Sequence, residues 1–457
     1  MRHALGILLV AGAALASVGA QTAPADQRPW RLDDLIGDIP WLKLSGRQRT
    51  RFESLHGQFR AGPRPDTEDQ WFTRTSLRAD IDAAAVGATI EIMDSRAFDG
   101  GSGDDRFVDT GTVNASDFVQ AHARFDLGAL GDGRQRLLAG RYTMSLGSRR
   151  FVIRNVFRNT VNNFTGLDYE WRNQQGETVR VFWTMPVRRR PDDAASLRDN
   201  AFEWDDQDDD LQFYGAFATR RLDERTTLDA YVFGLHEAAA GALDRRLFTP
   251  GIRLLRAPQR GDWFAELEGV LQFGESGLSA AGPKLDHLAW FAHASIGYRF
   301  DLPWQPTLRL AYDHASGDRD PNDGVNNRFD RLFGAPPFEL GPTGLWGAMQ
   351  RSNLSSPELR LVLLPTPTTR LLVAYRDFRL ASARDEWVGA GVVDSSGAAG
   401  DRVGQQVETR ARWQVIPDNL FVEIGGAMLF GGGFLERAPN SQGRDSRYGY
   451  AEMTWTL

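Results

Sequence analysis

Cysteine is absent from all 457 residues, which removes disulfide staples, thiolate nucleophiles and thiolate metal sites together. Beyond residue 20 no apolar run reaches the roughly 18 residues that a membrane helix needs. A helical membrane protein is therefore excluded, and a soluble β-fold and a membrane barrel remain. Histidine is scarce, seven in all, with no HExxH or comparable spacing, so neither a metal centre nor a cofactor is expected. His236, His287, His293 and His314 fall on or near strand patterns without a serine elbow, which argues against a hydrolase. A basic surplus is missing too: the formal charge is -7, and nucleic acid is not an expected partner.

What is present begins with a secretory pattern. Arg2 and His3 give a basic start, residues 4–16 are apolar, and Val18-Gly19-Ala20 is a small-residue cleavage site before Gln21. No shift in composition marks an interior boundary. The reading is a signal peptide over 1–20, a short periplasmic segment over 21–42, and one β-domain over 43–457. Within that domain about eighteen segments, each of roughly ten residues, alternate apolar and polar side chains. Long connections at 55–70, 98–116, 146–161, 188–208, 238–247, 275–287, 316–356, 382–404 and 431–445 alternate with short ones such as 83–87, 173–176, 301–305 and 416–419. Strict alternation puts large loops at one end of the sheet and tight turns at the other. The expected fold is all-β, an up-and-down antiparallel transmembrane β-barrel of about 18 strands with its turns in the periplasm. A soluble Greek-key sandwich does not keep that order over so many strands.

The two faces of the strands then divide between lipid and lumen. Leu288, Trp290, Ala292, Ala294, Ile296, Tyr298 and Phe300 share one face, and Trp71, Trp171, Trp263, Trp413 and Trp455 near strand ends are expected in the interfacial girdles. The opposite face carries Lys43, Arg47, Arg49 and Arg51 on the first strand and Arg74 and Arg78 on the second. Arg141, Arg180, Arg299, Arg309 and Arg360 follow, then Arg410 and Arg412. Asp168 and Glu170 face the same way, as do Glu266 and Glu268 across the ring from the first two strands. Arginine in that number points to anionic solutes, because guanidinium holds carboxylates bidentately and stays charged. The bland alternative is a lining that pairs with itself. An arginine-rich crossing (Arg149, Arg150, Arg154, Arg158) separates two strands. The connection 316–356 holds Phe329, Phe333, Pro336, Pro337, Phe338, Leu345 and Trp346, too apolar for a solvated loop, and is expected to fold into or over the mouth. The acidic run Asp205, Asp206, Asp208, Asp209, Asp210 is read as solvated. Residues 318–324 are read as a turn, since Phe329 stands where the bidentate glutamate of a calcium loop belongs.

Three stretches carry a family resemblance. They are Met93-Asp94-Ser95-Arg96-Ala97-Phe98, the Gly140-Arg141 strand running into Leu146-Gly147-Ser148-Arg149-Arg150-Phe151, and Tyr312-Asp313-His314-Ala315-Ser316-Gly317-Asp318 with the later Phe329-Asp330-Arg331-Leu332-Phe333. In that order the chain resembles the alginate export family of outer-membrane barrels. The resemblance implies an eighteen-stranded barrel whose arginine-lined lumen passes an anionic polysaccharide outward without energy input, with Arg47, Arg74, Arg141, Asp168 and Glu170 in the lining. Exporters dedicated to alginate are expected to plug the barrel with a long periplasmic turn, and the short turns here offer none. The closing strand, ending Trp455-Thr456-Leu457, is similar to the signal read by the barrel assembly machinery. Expected partners are that machinery, outer-membrane lipid and lipopolysaccharide, an anionic carbohydrate solute, and periplasmic export components. The resulting reading is a passive outer-membrane channel, not an enzyme, for an alginate-like polysaccharide or oligosaccharide. An uptake porin for small carboxylates is the second reading, and a secreted soluble β-protein binding a surface polysaccharide the third.

Overall fold

In the structure, a computed structural model, residues 29–457 are described apart from 38, 63, 102, 104–105, 239–242, 280–281 and 336–338. The expected signal over 1–20, and Pro336, Pro337 and Phe338, lie outside the described residues. The first half of the barrel is β1 (Leu42–His56), β2 (Thr67–Ala83), β3 (Val86–Asp99), β4 (Asn114–Leu130), β5 (Gly133–Tyr142), β6 (Phe164–Asn173), β7 (Thr178–Pro186), β8 (Leu211–Arg221) and β9 (Thr226–Glu237). The second half is β10 (Arg246–Arg256), β11 (Asp262–Ser276), β12 (Leu285–Arg299), β13 (Thr307–Ala315), β14 (Leu354–Thr366), β15 (Thr369–Arg379), β16 (Arg402–Ile416), β17 (Leu420–Gly431) and β18 (Ser446–Thr456).

Each strand pairs antiparallel with the next, and β18 pairs with β1 in the register Arg51↔Glu452 and Gln48↔Trp455, which closes the ring. Closure leaves no row of unpaired backbone groups, the condition for a sheet to sit in hydrocarbon. A two-residue strand (Val325–Asn326) adds one parallel contact to β12 at Asp286 and His287. Long and short connections alternate around the ring as expected.

The outer surface shows why this sheet cannot be soluble. Leu77, Leu267, Leu271, Leu288, Ile296 and Leu310 all stand exposed, Leu288 by 61%, in a continuous apolar band that only lipid can cover. At the periplasmic rim Trp263 packs on Tyr298 at 5.1 Å. Trp455 packs on Trp30 at 5.3 Å, so the short segment before β1 is pinned to the barrel where the chain closes. Asn419 Nδ2 donates to the Trp30 carbonyl at 2.7 Å, and the Leu44 amide donates to Asp33 Oδ1 at 2.7 Å.

The inner face differs from a uniformly charged lumen. Toward the extracellular side the inward positions are Leu55, Phe72, Phe164, Phe213 and Phe291, all buried. Rings from the long connections cover them: Phe151 lies 5.4 Å from Phe291, Phe333 4.9 Å from Phe213, and Trp346 5.3 Å from Phe59. The hydrophobic core of this protein therefore sits inside the barrel. The connection 143–163 and the described residues of 316–353 enter the lumen to make it, as the apolar content of 316–356 predicts.

Topology gives the first testable outcome. In the cysteine-free background, cysteine at Asp323 should react with a membrane-impermeant maleimide on whole cells, and cysteine at Gln174 only after permeabilisation. Labelling of 174 with sparing of 323 would invert the barrel.

Candidate functional site

The segment 143–163 organises the lumen because it has no strand neighbour to take up its backbone groups. Buried carbonyls without donors are costly, and the wall supplies the donors. Arg49 on β1 donates to the carbonyls of Val156, Phe157 and Arg158 and to Asn159 Oδ1, at 2.8 to 3.2 Å. Arg74 on β2 donates to the carbonyls of Val156 and Arg158, each at 2.9 Å. Asn159 Nδ2 donates in turn to the carbonyls of Thr73, Arg96 and Thr112.

The other end of the segment reaches the far wall. Arg150 donates to Glu268 at 2.5 Å and Glu266 at 2.6 Å on β11, and to Glu339 of the second inward connection at 2.7 Å. With eighteen strands in the ring, β11 is almost opposite β1, so residues 149–159 span the lumen. Arg351 also binds Glu339. Burial alone would raise the Glu339 carboxyl, but Arg150 and Arg351 overcome it and hold the group well below the usual range.

A belt of wall pairs surrounds this strut. Arg51 reaches Glu452 across the closing seam at 2.5 Å and Glu53 at 3.0 Å, with its guanidinium 4.1 Å from the Phe157 ring. Arg376 bridges Glu358 at 2.8 Å and Asp313 at 3.0 Å, and Asp313 also binds His293 at 2.8 Å. Fixed pairs of this kind have little charge left to offer a passing solute.

Charge that is not spent lies on the periplasmic side of the belt. Arg47 on β1, Arg299 on β12 and Arg370 on β15 have no ion-pair partner among the described residues, and Arg47 and Arg370 are exposed to the lumen. Arg412 on β16 is 46% exposed and makes one loose contact with Glu423 at 3.5 Å. Because β15 to β18 and β1 are consecutive around the ring, Arg370, Arg412 and Arg47 form one arc. Two cavities adjoin it. One, of about 320 Å³, is bounded by Arg47, Arg412, Asn419 and Phe421; the other, of about 210 Å³, by Arg47, Arg74, Arg78, Glu91 and Arg154.

The residues expected from sequence in the lining divide accordingly. Arg47 and Arg412 lie in the arc and line one cavity, and Arg410 faces inward two residues from Arg412. Arg49, Arg51 and Arg74 face inward but are buried under the strut, at most 5% exposed. Arg360 is buried between Glu358 and the Glu339 carbonyl. Arg78 pairs with Asp80, Arg309 with Glu358, and Arg180 with Asp168; Glu170 takes Arg136 and Arg172.

Arg141 departs from the expectation. It pairs with Ala121 and Thr165 and alternates with inward Tyr142, so its register gives it the other face. Its guanidinium is held by Asp117, the Phe118 carbonyl and Gln207. The acidic run is not free either: Asp205 accepts from Asn114 and from the Arg190 amide, Asp206 pairs with Arg190, and Asp208 with Arg188. Burial and the nearby Asp117 push the Asp205 carboxyl up to about 6. In 318–324 the Asp320 and Asp323 carboxylates accept amides of their own turn, which is the turn expected there. Sequence reasoning missed Arg370, although its even spacing from inward Arg376 marks the face.

Comparison with known proteins agrees with this architecture. A family model described as "Alginate export" matches residues 40–448. Among solved structures, Pseudomonas aeruginosa OccK8 (OprE) superposes with a TM-score of 0.58 at 13% identity, covering 91% of this chain and 98% of its own. The P. aeruginosa outer-membrane protein OpdK gives 0.58 at 15% identity with the same coverage. P. aeruginosa OccK2 (OpdF), solved in complex with glucuronate, gives 0.56 at 15% identity, again covering 91% and 98%. At these identities the likeness is one of fold. No match is found among curated proteins.

The strut can be tested through Asn159, whose amide group shares its two hydrogens among the Thr73, Arg96 and Thr112 carbonyls. Asn159→Ala leaves them without that donor, at about 1 to 3 kcal/mol for each group left unpaired, and should loosen 143–163. The expected reading in a planar bilayer is a larger and noisier single-channel conductance with the barrel intact by heat-modifiable migration. A conductance equal to wild type would remove the strut from any part in limiting flow.

Proposed function

The chain belongs to the alginate export family of outer-membrane channels, and from that membership we propose that it passes carboxylated carbohydrate passively, with an alginate-like polysaccharide or oligosaccharide moving outward. The observation that carries this reading is the arc of Arg47, Arg370 and Arg412 at the periplasmic mouth, where an exported solute first meets the barrel. The arc remains basic although the whole chain is acidic, because the carboxylates deeper in the lumen are bound by other arginines. Guanidinium groups in a row offer several weak bidentate contacts, and a passing solute must be able to leave each of them.

A second reading has its own support. The spaces beside the arc, about 210 and 320 Å³, suit one sugar ring at a time, and one barrel of this fold holds glucuronate. Uptake of small carboxylates fits those dimensions. Barrels in liposomes separate the two: release of long uronate chains favours export, and passage of monomers alone favours uptake.

At the partial dielectric of a wet pore each exposed arginine of the arc contributes on the order of 1 kcal/mol toward a carboxylate. The combined variant Arg47→Ala, Arg370→Ala, Arg412→Ala should therefore raise at least tenfold the concentration of oligouronate that blocks current from the periplasmic side. The shift should shrink at high salt. Block that is unaltered by all three substitutions would contradict the reading.

A further inference from the structure

On the extracellular side of the belt lies a second space that the arc does not use. It has a volume of about 290 Å³ and is bounded by Arg245, Arg328, Arg331, Gln350, Ser352 and Val388, among others. That is the small end of the range for a ligand pocket and the size of one sugar ring rather than a chain.

Two of its three arginines are occupied. Arg245 binds Glu237 at 2.7 Å and Asp330 at 2.7 Å, and Arg328 binds Asp385 and Glu386. Arg331 lines the space and has no hydrogen-bond or ion-pair partner for its guanidinium among the described residues. The nearest candidate, its own neighbour Asp330, is drawn away: one carboxylate oxygen goes to Arg245 and the other accepts the Leu332 amide at 2.7 Å. Leu332 holds a φ of +51°, a region that costs a branched residue free energy. The turn that presents Arg331 is thus kept in an unfavourable conformation while the carboxylates around it are directed to other cations.

We propose that this space is a monosaccharide subsite, in which Arg331 takes the carboxylate of one uronate residue as a two-pronged partner and Gln350 and Ser352 supply polar groups for ring hydroxyls. Leu332 and Val388 give the apolar side of the site. The proposal rests on the reading of the channel as one for carboxylated carbohydrate and adds a station on the external side of the belt. A solute would then be held by arginine before and after crossing it, in whichever direction it moves.

The test uses the full-length barrel in a planar bilayer, its external side identified by a thiol label at position 323, with glucuronate as probe and glucose as neutral control. Glucuronate should block wild-type current from the external side, and glucose should not. Arg331→Gln should raise the external blocking concentration about tenfold and leave block from the periplasmic side unchanged. Arg331→Lys, which keeps the charge without the planar fork, should fall between them. Since Arg331 has no structural partner to lose, both variants should migrate as folded barrels. Periplasmic block alone in wild type would overturn the subsite while leaving the channel reading standing, and absence of block from both sides would overturn both. External block that is equal in wild type and Arg331→Gln would also overturn the subsite.

Discussion

A length of chain that leaves the wall and crosses the inside of a barrel carries its carbonyls away from both water and the sheet, and every one of them needs a donor. In this protein that requirement decides how the arginines are used. Arg49 and Arg74 donate to the carbonyls of residues 156–158, and Arg150 carries the charge of the segment to Glu266 and Glu268 on the opposite wall. Removing one member of such a buried group strands the others at several kcal/mol. The strut is therefore a fixed part of the lumen, and its position determines which basic groups remain available to a solute.

Three layers follow along the barrel axis. An apolar layer of wall and loop rings fills the extracellular half, including Phe151, Phe213, Phe291, Phe329 and Trp346. Below it a belt of charge is internally paired, and below that the mouth keeps Arg47 and Arg370 without ion-pair partners among the described residues. A long periplasmic turn is not needed to obstruct this barrel, because extracellular connections occupy its lumen instead. The -7 formal charge of the chain says little about selectivity, since many of its inner carboxylates are held by buried cations.

Much of the fold was legible because its signals are local. Period-two patterns marked the strands and both faces, as Leu288 to Phe300 illustrate, and the alternation of loop lengths gathered the long connections at one end of the ring and the tight turns at the other. The apolar residues of 316–356 foretold its entry into the lumen. What was not legible is non-local. Nothing near Arg49 or Arg74 in the chain announces that residues 156–159 will lie against them, so spent and free arginines looked alike. Arg141 was misplaced for a more local reason: its charge was taken to mark the lumen face, whereas the register puts it on the face of Leu137 and Ala139. Arg331 lay in a connection, where no period assigns a face.

The proposed function makes Arg47, Arg370 and Arg412 at the periplasmic mouth, rather than the net charge of the chain, set what the channel admits. The most direct measurement is the zero-current potential of the wild-type barrel in a tenfold gradient of potassium chloride. The account predicts a potential of the sign that chloride sets, falling toward zero as the salt on both sides is raised and the arc is screened. A potential of the sign that potassium sets would contradict it.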